Sequence, residues 1–261
     1  MNWKTTSEQS TLNTPRSPHN AAVEQQATPY LVPRFGTARR FILLSAGLTG
    51  VLFVILTVLV GQAPYGFAWD VALLRAIRLT ASPFLDVWAV RLTGLGVSWG
   101  VVPLSILLGF GLLYRKYWRK LCFFCLSLLG CAVINPLAKL CFQRIRPQFW
   151  DAPLSEFDYS YPSGHAMASM AFVAVIIILV WQSRWRWSVF AIGVGFAATI
   201  GWTRLYLGVH YPSDILGGWI LSLSWCLGIL GWIWPFPQRG DRPSNPPQLK
   251  PSTTLSTQRR L

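Results

Sequence analysis

Six long apolar runs, separated by short polar or basic stretches, constrain this chain more than any other feature of its sequence. A helix needs about 20 residues at ~1.5 Å each to cross a hydrocarbon core of roughly 30 Å, and each run comes close to that length. The composition agrees, since 52% of the 261 residues are hydrophobic and only 12% are charged. We therefore predict an all-α bundle of six transmembrane helices, over Phe41 to Gly61, Leu92 to Tyr114, Leu121 to Phe142, Gly164 to Trp181, Ser188 to Tyr206 and Pro212 to Trp234.

Polar segments flank this apolar region on both sides. Residues 1–40 and 235–261 are rich in Ser, Thr, Gln, Asn and Pro, and such segments bury too little apolar area to order themselves. We predict two disordered tails around a single membrane domain at residues 41–234.

The formal net charge of +14 could indicate a nucleic-acid partner. The basic residues, however, lie in short clusters between the apolar runs and form no single stripe, so we predict no nucleic-acid binding. Most of them lie on one side if the N-terminus is cytoplasmic, as the positive-inside rule requires. We predict an integral membrane protein of the plasma or inner membrane with both tails in the cytoplasm.

The segment between the first two runs has a helical repeat of its own. In "FAWDVALLRAIR", Arg75 and Arg78 recur against Val71 and Leu74, which is typical of an amphipathic helix on the bilayer surface. A short irregular loop is the alternative.

Ionisable residues on the outward side collect at three places, although charge within a bilayer costs roughly 2.5–3.5 kcal/mol. The first is "KLCFQRIRP", where Lys139 and Arg146 are seven residues apart. Seven residues are close to two helical turns, so both cations would share one face if the helix persisted that far. Pro147 predicts that the helix ends there. Two such cations could bind a substrate or simply anchor to lipid phosphates.

The second place is "PSGH" at residues 162–165, directly before an apolar run. Ser163 is a natural N-cap, and free backbone N–H groups meet the positive end of the helix dipole near Gly164. Such a terminus binds anions. The alternative is an ordinary capped helix start that carries His165 without a role.

The third place is "TRLYLGVHYPSD", with Arg204, His210 and Asp214. On a helix that starts near Pro212, the carboxylate of Asp214 can reach one imidazole nitrogen, fix its tautomer and leave the other nitrogen able to react. Arg204 adds a planar cation suited to phosphate.

Together the segments 139–147, 162–165 and 203–214 resemble the three signature motifs of the type 2 phosphatidic acid phosphatase (PAP2) family. One departure is Thr203, where the family usually has Ser before the arginine. The resemblance implies a bundle of the PAP2 and vanadium-haloperoxidase type. It also implies that His210 attacks phosphorus, Asp214 orients it and His165 protonates the leaving oxygen, while the phosphoryl oxygens are bound by Lys139, Arg146, Ser163, Gly164 and Arg204.

The chemistry of the residues supports those roles. Phosphoryl transfer spreads charge over the equatorial oxygens, and fixed cations with a helix N-terminus can stabilise it. A neutral His210 and a protonated His165 predict a bell-shaped pH profile. We expect no metal and no cofactor, because Asp151, Glu156 and Asp158 show no pattern of facing ligands.

A site at the outer, periplasmic or extracellular surface suits a lipid phosphate whose tail stays in the membrane. Our first choice of substrate is a polyprenyl diphosphate such as undecaprenyl diphosphate, with phosphatidylglycerophosphate and phosphatidic acid as alternatives. A lipid phosphotransferase is a rival, and a six-span transporter is a more distant one because the polar groups gather at helix ends. The soluble haloperoxidases do not fit the six apolar runs, and the oligomeric state stays open.

Overall fold

The computed structural model describes residues 34–150 and 158–233, with side chains from Thr37 onward. The tail predictions therefore fall almost wholly outside the described residues. Within these residues the chain forms eight α-helices and no strand, in agreement with the predicted all-α class. The helices are α1 Arg34–Gly61, α2 Ala68–Arg78, α3 Pro83–Leu95, α4 Val101–Tyr114, α5 Trp118–Phe142, α6 Gly164–Val180, α7 Arg186–Tyr206 and α8 Pro212–Ile233.

Five of the six predicted spans each coincide with one helix, but the helices differ in length. Four of the described helices are long and apolar enough to cross a membrane by length and composition, at Thr37–Gly61, Trp118–Phe142, Arg186–Tyr206 and Pro212–Ile233. The apolar helices α4 and α6 have only 14 and 17 residues. The count of six spans is therefore not confirmed and stays a prediction.

The second apolar run is not the single helix Leu92 to Tyr114 that we predicted. The helix α3 ends at Leu95 and α4 begins at Val101. Gly100 lies so close to the preceding turn that a Cβ atom there would stand 2.3 Å from the carbonyl oxygen of Leu95. Glycine is a poor helix former and permits this sharp turn, so hydrophobicity alone did not predict the break.

The first helix begins earlier than its apolar run. It starts at Arg34, inside the segment predicted as a tail. Arg39 contributes to this extension, because its Nε donates to the carbonyl oxygen of Gly231 at 2.9 Å. The interaction belongs to the packing of α1 against α8, which the sequence alone does not reveal.

The centre of the bundle is α6, which contacts α5, α7 and α8. Its residues Met167, Ala171 and Val175 are buried in a core with Phe123 and Cys226. Because α5 and α7 run in one direction and α6 and α8 in the other, the ends of the first pair meet the starts of the second. The three motifs therefore lie at one end of the bundle.

Two glycines of α8 allow the motifs to approach closely. A Cβ atom on Gly218 would stand 2.7 Å from the carbonyl oxygen of Ser163, and one on Gly217 would stand 2.5 Å from the ring of Tyr161. Any larger residue would force α8 away from the start of α6.

The segment between α1 and α3 contains the predicted amphipathic helix, α2, and the loop alternative is wrong. Its Leu74 is fully buried, as the helical repeat indicates. Asp70 in its first turn is fully buried as well, although the helical repeat did not predict a buried acid there.

Candidate active site

The first motif leaves its helix before it reaches Arg146. The helix α5 ends at Phe142, and Gln143 adopts a left-handed conformation with φ 47°, its N–H donating to the carbonyl oxygen of Lys139 at 2.9 Å. Lys139 thus lies in the last helical turn, while Arg146 follows in a non-helical segment. The helix thus ends before Arg146, as Pro147 indicated, so the condition for a shared helix face is not met. The two cations come together because the chain turns back at Gln143.

Both cations bind one carboxylate, that of Asp158. Lys139 Nζ donates to one oxygen and Arg146 Nη2 to the other, and Arg146 Nε also donates to the backbone oxygen of Asp158 at 2.8 Å. The side chain of Asp158 is 56% exposed. Partial burial by itself would raise the pKa of Asp158, but the hydrogen bonds and charges of Lys139 and Arg146 outweigh it and keep this pKa below its ordinary value. We call these three residues the front cluster.

His210 stands between a cation and a carboxylate. Arg146 Nη1 donates to His210 Nε2 at 3.1 Å, and His210 Nδ1 lies 3.5 Å from Asp214 Oδ2. A guanidinium has no acceptor, so Nε2 carries the lone pair and Nδ1 the proton in this arrangement. Nε2 therefore faces the front cluster, while the contact of Nδ1 with the Asp214 carboxylate agrees with the spacing of His210 and Asp214.

A second group of charges lies behind Asp214. Arg144 Nη1 donates to Asp214 Oδ1 and to Ser213 Oγ, the latter at 2.7 Å, and Arg144 Nη2 donates to Asp70 Oδ2 at 3.3 Å. The Oγ of Ser213 donates to Asp70 Oδ2 at 2.6 Å. All four side chains are buried, and we call them the rear cluster.

The second motif begins α6 as predicted, with one difference. Ser163 occupies the N-cap position, yet its side chain makes no capping hydrogen bond. Its buried Oγ has no hydrogen-bond partner among the described residues, while its N–H donates to the carbonyl oxygen of Asp214 at 3.1 Å. The predicted capping hydrogen bond is therefore absent, and the Ser163 hydroxyl is buried. Gly164 starts the helix, and a Cβ atom there would stand 3.0 Å from Asn135 Oδ1.

Arg204 lies in the last turn of α7 and is fully buried. Its Nη1 donates to Thr93 Oγ1 at 2.8 Å, and its carbonyl oxygen accepts from the N–H of Val209 at 3.2 Å. The second of these bonds closes the turn that leads from α7 to His210.

A cavity of about 910 Å³ opens in front of His210. Lys139, Asp158, Gly164, His165 and His210 line its polar end. Its remaining wall is mostly apolar and comes from α4, α5 and α6 together with Val97. One space thus joins the charged motif residues to a long apolar surface.

The structure brings most of the predicted site residues together. Lys139, Gly164, His165 and His210 share the cavity; Arg146 and Asp214 contact His210 directly, and Ser163 joins through its backbone. Arg204 is tied to this group by the turn described above. Five residues that form these contacts had no role predicted from the sequence, namely Asp70, Arg144, Asp158, Ser213 and Thr93. A lone acidic residue in an amphipathic helix was the available signal for Asp70.

Similarity to known proteins agrees with this geometry. Residues 120–238 match the model of the PAP2 superfamily. Phosphatidylglycerophosphatase B of Bacillus subtilis (strain 168) is 35% identical over 162 residues, which cover 59% of this chain and 78% of the relative. This chain belongs to the PAP2 superfamily. Another PAP2 relative is the undecaprenyl-diphosphatase of Sulfolobus acidocaldarius, 27% identical over 67% of this chain and 84% of the relative.

A solved PAP2 structure has the same fold. It is the crystal structure of a transmembrane PAP2-type phosphatidylglycerolphosphate phosphatase from Bacillus subtilis, with a TM-score of 0.63 and 29% identity. The match covers 72% of this chain and 95% of that structure. The protein is thus an integral membrane enzyme of the PAP2 lipid phosphatase family.

Proposed function

We propose that this protein hydrolyses a lipid phosphate through a phosphohistidine formed on His210. The observation that carries the proposal is the position of His210, whose Nε2 faces the cations of the front cluster while its Nδ1 faces Asp214. This is the arrangement of an activated nucleophile and its orienting group.

In the first step Nε2 of His210 bonds to phosphorus and the bond from phosphorus to the leaving oxygen breaks. Asp214 stabilises the positive charge that develops on the imidazole, and His165 donates the proton that the leaving oxygen needs. In the second step water attacks phosphorus, the N–P bond breaks and His165 accepts a proton from the water. Inorganic phosphate and the dephosphorylated lipid are the products.

Three cations and one helix start would hold the phosphoryl group. Lys139 and Arg146 already bind a carboxylate in the front cluster, so their spacing suits an oxyanion. We assign Arg204, the Ser163 hydroxyl and the amide of Gly164 to the other phosphoryl oxygens. No step requires a bound metal, since these groups supply the charge that a metal would supply.

The cavity supports a lipid as the substrate. Its polar end holds His210 and its wall continues along apolar residues of α4, α5 and α6, such as Ile106 and Leu128. A phosphate at the polar end would place an attached tail along this wall. We place the site on the periplasmic or extracellular side, because the basic clusters favour the opposite side as cytoplasmic.

The names of two relatives each support a particular lipid substrate. The relative with 35% identity is named for phosphatidylglycerophosphate, and we take that lipid as the first candidate. The relative from Sulfolobus acidocaldarius is named for undecaprenyl diphosphate, our first choice from sequence and now the second candidate. Both have a terminal phosphoryl group that the same site could transfer to His210.

The test is phosphate release from a panel of purified lipids, with phosphatidylglycerophosphate, undecaprenyl diphosphate and phosphatidic acid in mixed micelles. We expect wild type to release one phosphate per lipid consumed, and His210→Ala to lose at least about 10³-fold in rate. His19→Ala is the matched control, because His19 lies outside the three motifs. Equal activity of His210→Ala and wild type on every lipid would overturn the mechanism. Phosphate recovered on an acceptor other than water would identify a phosphotransferase.

A further inference from the structure

Asp70 receives more hydrogen bonds than a helix cap requires. Its Oδ2 accepts from the N–H of Phe67 at 3.1 Å, which caps the start of α2. The same carboxylate accepts from the N–H of Ser213 at 2.9 Å, from Ser213 Oγ at 2.6 Å and from Arg144 Nη2 at 3.3 Å. Asp70 therefore connects α2 to the start of α8, immediately before Asp214.

Arg144 lies between two buried carboxylates. It donates to Asp70 with one terminal nitrogen and to Asp214 with the other, and the ring of Tyr211 packs against its guanidinium at 4.5 Å. Its side chain is 1% exposed, and those of Asp70 and Asp214 are fully buried. Water screens these charges little, so each of them acts on its neighbours over several ångströms.

The formal charge of the rear cluster decides what Asp214 can do for His210. With both carboxylates ionised, Asp70, Arg144 and Asp214 sum to one negative charge. Without Asp70 the sum would be zero, because Arg144 would neutralise Asp214 alone. A neutral group behind Nδ1 stabilises an imidazolium or a phosphohistidine less than a negative group does.

We propose that Asp70 and Arg144 are positioning residues, which hold Asp214 against His210 and set how strong a base His210 is. The inference rests on the proposed role of His210 but not on the identity of the lipid. Arg144 supplies the hydrogen bond that holds the Asp214 carboxylate, and Asp70 supplies the negative charge that keeps Arg144 from neutralising it.

Other charges also act on His210 and are common to all the variants below. Arg146 contacts it from the segment after α5, and Asp214 does so from α8. The other charged or titratable groups around it are Lys139, Asp158 and His165 across the cavity, Tyr211 beside it in the chain and Arg204 at the end of α7.

The experiment measures the protonation of His210 directly. The chain has three histidines, so protein labelled with ¹⁵N-histidine gives few imidazole signals, and the signal lost in His210→Ala identifies His210. We expect Asp70→Asn to move the titration midpoint of His210 to lower pH by about one unit, the low end of the effect of a nearby charge. Asp86→Asn is the matched control, because Asp86 bonds to Tyr206 and lies outside the rear cluster; it should leave the midpoint unchanged.

Arg144→Gln provides the opposite change. It leaves two buried carboxylates without their cation, so the midpoint of His210 should move to higher pH. The double variant Asp70→Asn/Arg144→Gln restores a single negative charge and should return the midpoint to within about half a unit of wild type. A residue that only ties α2 to α8 would not produce shifts of opposite sign that cancel.

The pH profile of phosphate release gives a second measurement. In Asp70→Asn one limb of the profile, that of His210, should move to lower pH while the limb of His165 stays in place. An unmoved His210 midpoint in Asp70→Asn, or a move to higher pH, would overturn the proposal even if activity fell.

Failure of a variant to fold, and failure of the proposed function, can each be distinguished from failure of this inference. If Asp70→Asn does not fold, the same substitution is measured in the Arg144→Gln background, where it should move the midpoint back from high pH to the wild-type value; no movement there would overturn the inference. If wild type released no phosphate, the proposed function would fail, while the NMR midpoints would still decide whether the rear cluster controls His210.

Discussion

The front and rear clusters both join carboxylates to cations, yet they differ in how firmly the charges are held. In the rear cluster every side chain is buried, and Asp70 alone accepts four hydrogen bonds from three different residues. In the front cluster the carboxylate of Asp158 is 56% exposed and lines the cavity beside the cations it binds.

We infer from this difference that the two clusters have different electrostatic roles in one site. Breaking a buried ion pair leaves an uncompensated buried charge and is costly, so we infer that the rear cluster is a fixed support. In the front cluster the side chains of Lys139 and Arg146 are only 10% exposed, but the Asp158 carboxylate is half-exposed. Water can therefore solvate this carboxylate when it leaves, and we infer that a phosphoryl group can replace it on the two cations. In the mechanism proposed above, this site combines a rigid charge behind His210 with an exchangeable anion in front of it.

The largest effect is expected from replacing Asp214, the rear-cluster residue that contacts His210. We expect Asp214→Asn to lower kcat by about 10³–10⁴-fold, because the imidazole loses its orienting charge. The thermal unfolding midpoint should fall too, since Arg144 loses one of its two carboxylates. Phosphate release and thermal unfolding in detergent measure the two quantities, and a variant with wild-type kcat would show that the rear cluster does not serve catalysis.

A smaller effect is expected in the front cluster. Lys139→Ala removes a phosphoryl contact and should lower kcat/KM by about 10²–10³-fold, with little change in thermal midpoint because its partner Asp158 is exposed. Lys120→Ala at the opposite end of α5 is the control, as this residue contacts only the ring of Tyr117 among the interactions described. A large loss of stability without loss of kcat/KM would mean that Lys139 supports the fold and does not bind the phosphoryl group.

Asp158→Asn tests whether the Asp158 carboxylate competes with other anions for Lys139 and Arg146. Without the carboxylate, Lys139 and Arg146 should bind inorganic phosphate and orthovanadate about two- to fivefold more tightly, measured as lower inhibition constants. Weaker inhibition would instead make Asp158 part of the anion site.

The same variant also tests the pH dependence. The pKa of Asp158 is lowered in the folded protein, so its ion pairs are complete above the ordinary pKa and are lost only as pH falls through the lowered one. Asp158 therefore stays ionised from pH 5 to 9. Removing this constant negative charge in Asp158→Asn leaves Lys139 and Arg146 without their carboxylate, so the limbs of the pH profile of kcat/KM should move to lower pH. Unmoved limbs would mean that the charge of Asp158 does not reach the histidines.

The smallest expected effect is that of a chelator. Among the described residues no group of three His, Cys, Asp or Glu side chains could hold a metal ion, and the front cluster already presents two cations to the phosphoryl group. Excess EDTA should leave the rate of phosphate release unchanged. A loss of activity that magnesium restores would contradict the assignment of the phosphoryl contacts to Lys139 and Arg146.

Periodic and local features of the site were accessible from the sequence. The four-residue spacing of His210 and Asp214 predicted their contact because it depends on a single helix start. The start of α6 at Gly164 was predictable for the same reason. By contrast, the meeting of Lys139 with Arg146 depends on the left-handed Gln143. Pro147 indicated a helix end near Arg146, but no feature of the motif predicted the turn at Gln143 that brings the two cations together.

The amino-acid sequence by itself determined the helical class, the positions of the apolar segments and the three motifs, because hydrophobic length and helical spacing act within one segment. Tertiary structure alone decided that Asp70 would stand behind Asp214 and that Asp158 would occupy the cations, since these contacts join segments 143 and 19 residues apart. Burial explains this division: in the sequence Asp70 is the one acid of an amphipathic segment and Asp158 is one of three acids between two apolar runs. The packing of α2 against α8 removes Asp70 from water, whereas Asp158 stays exposed.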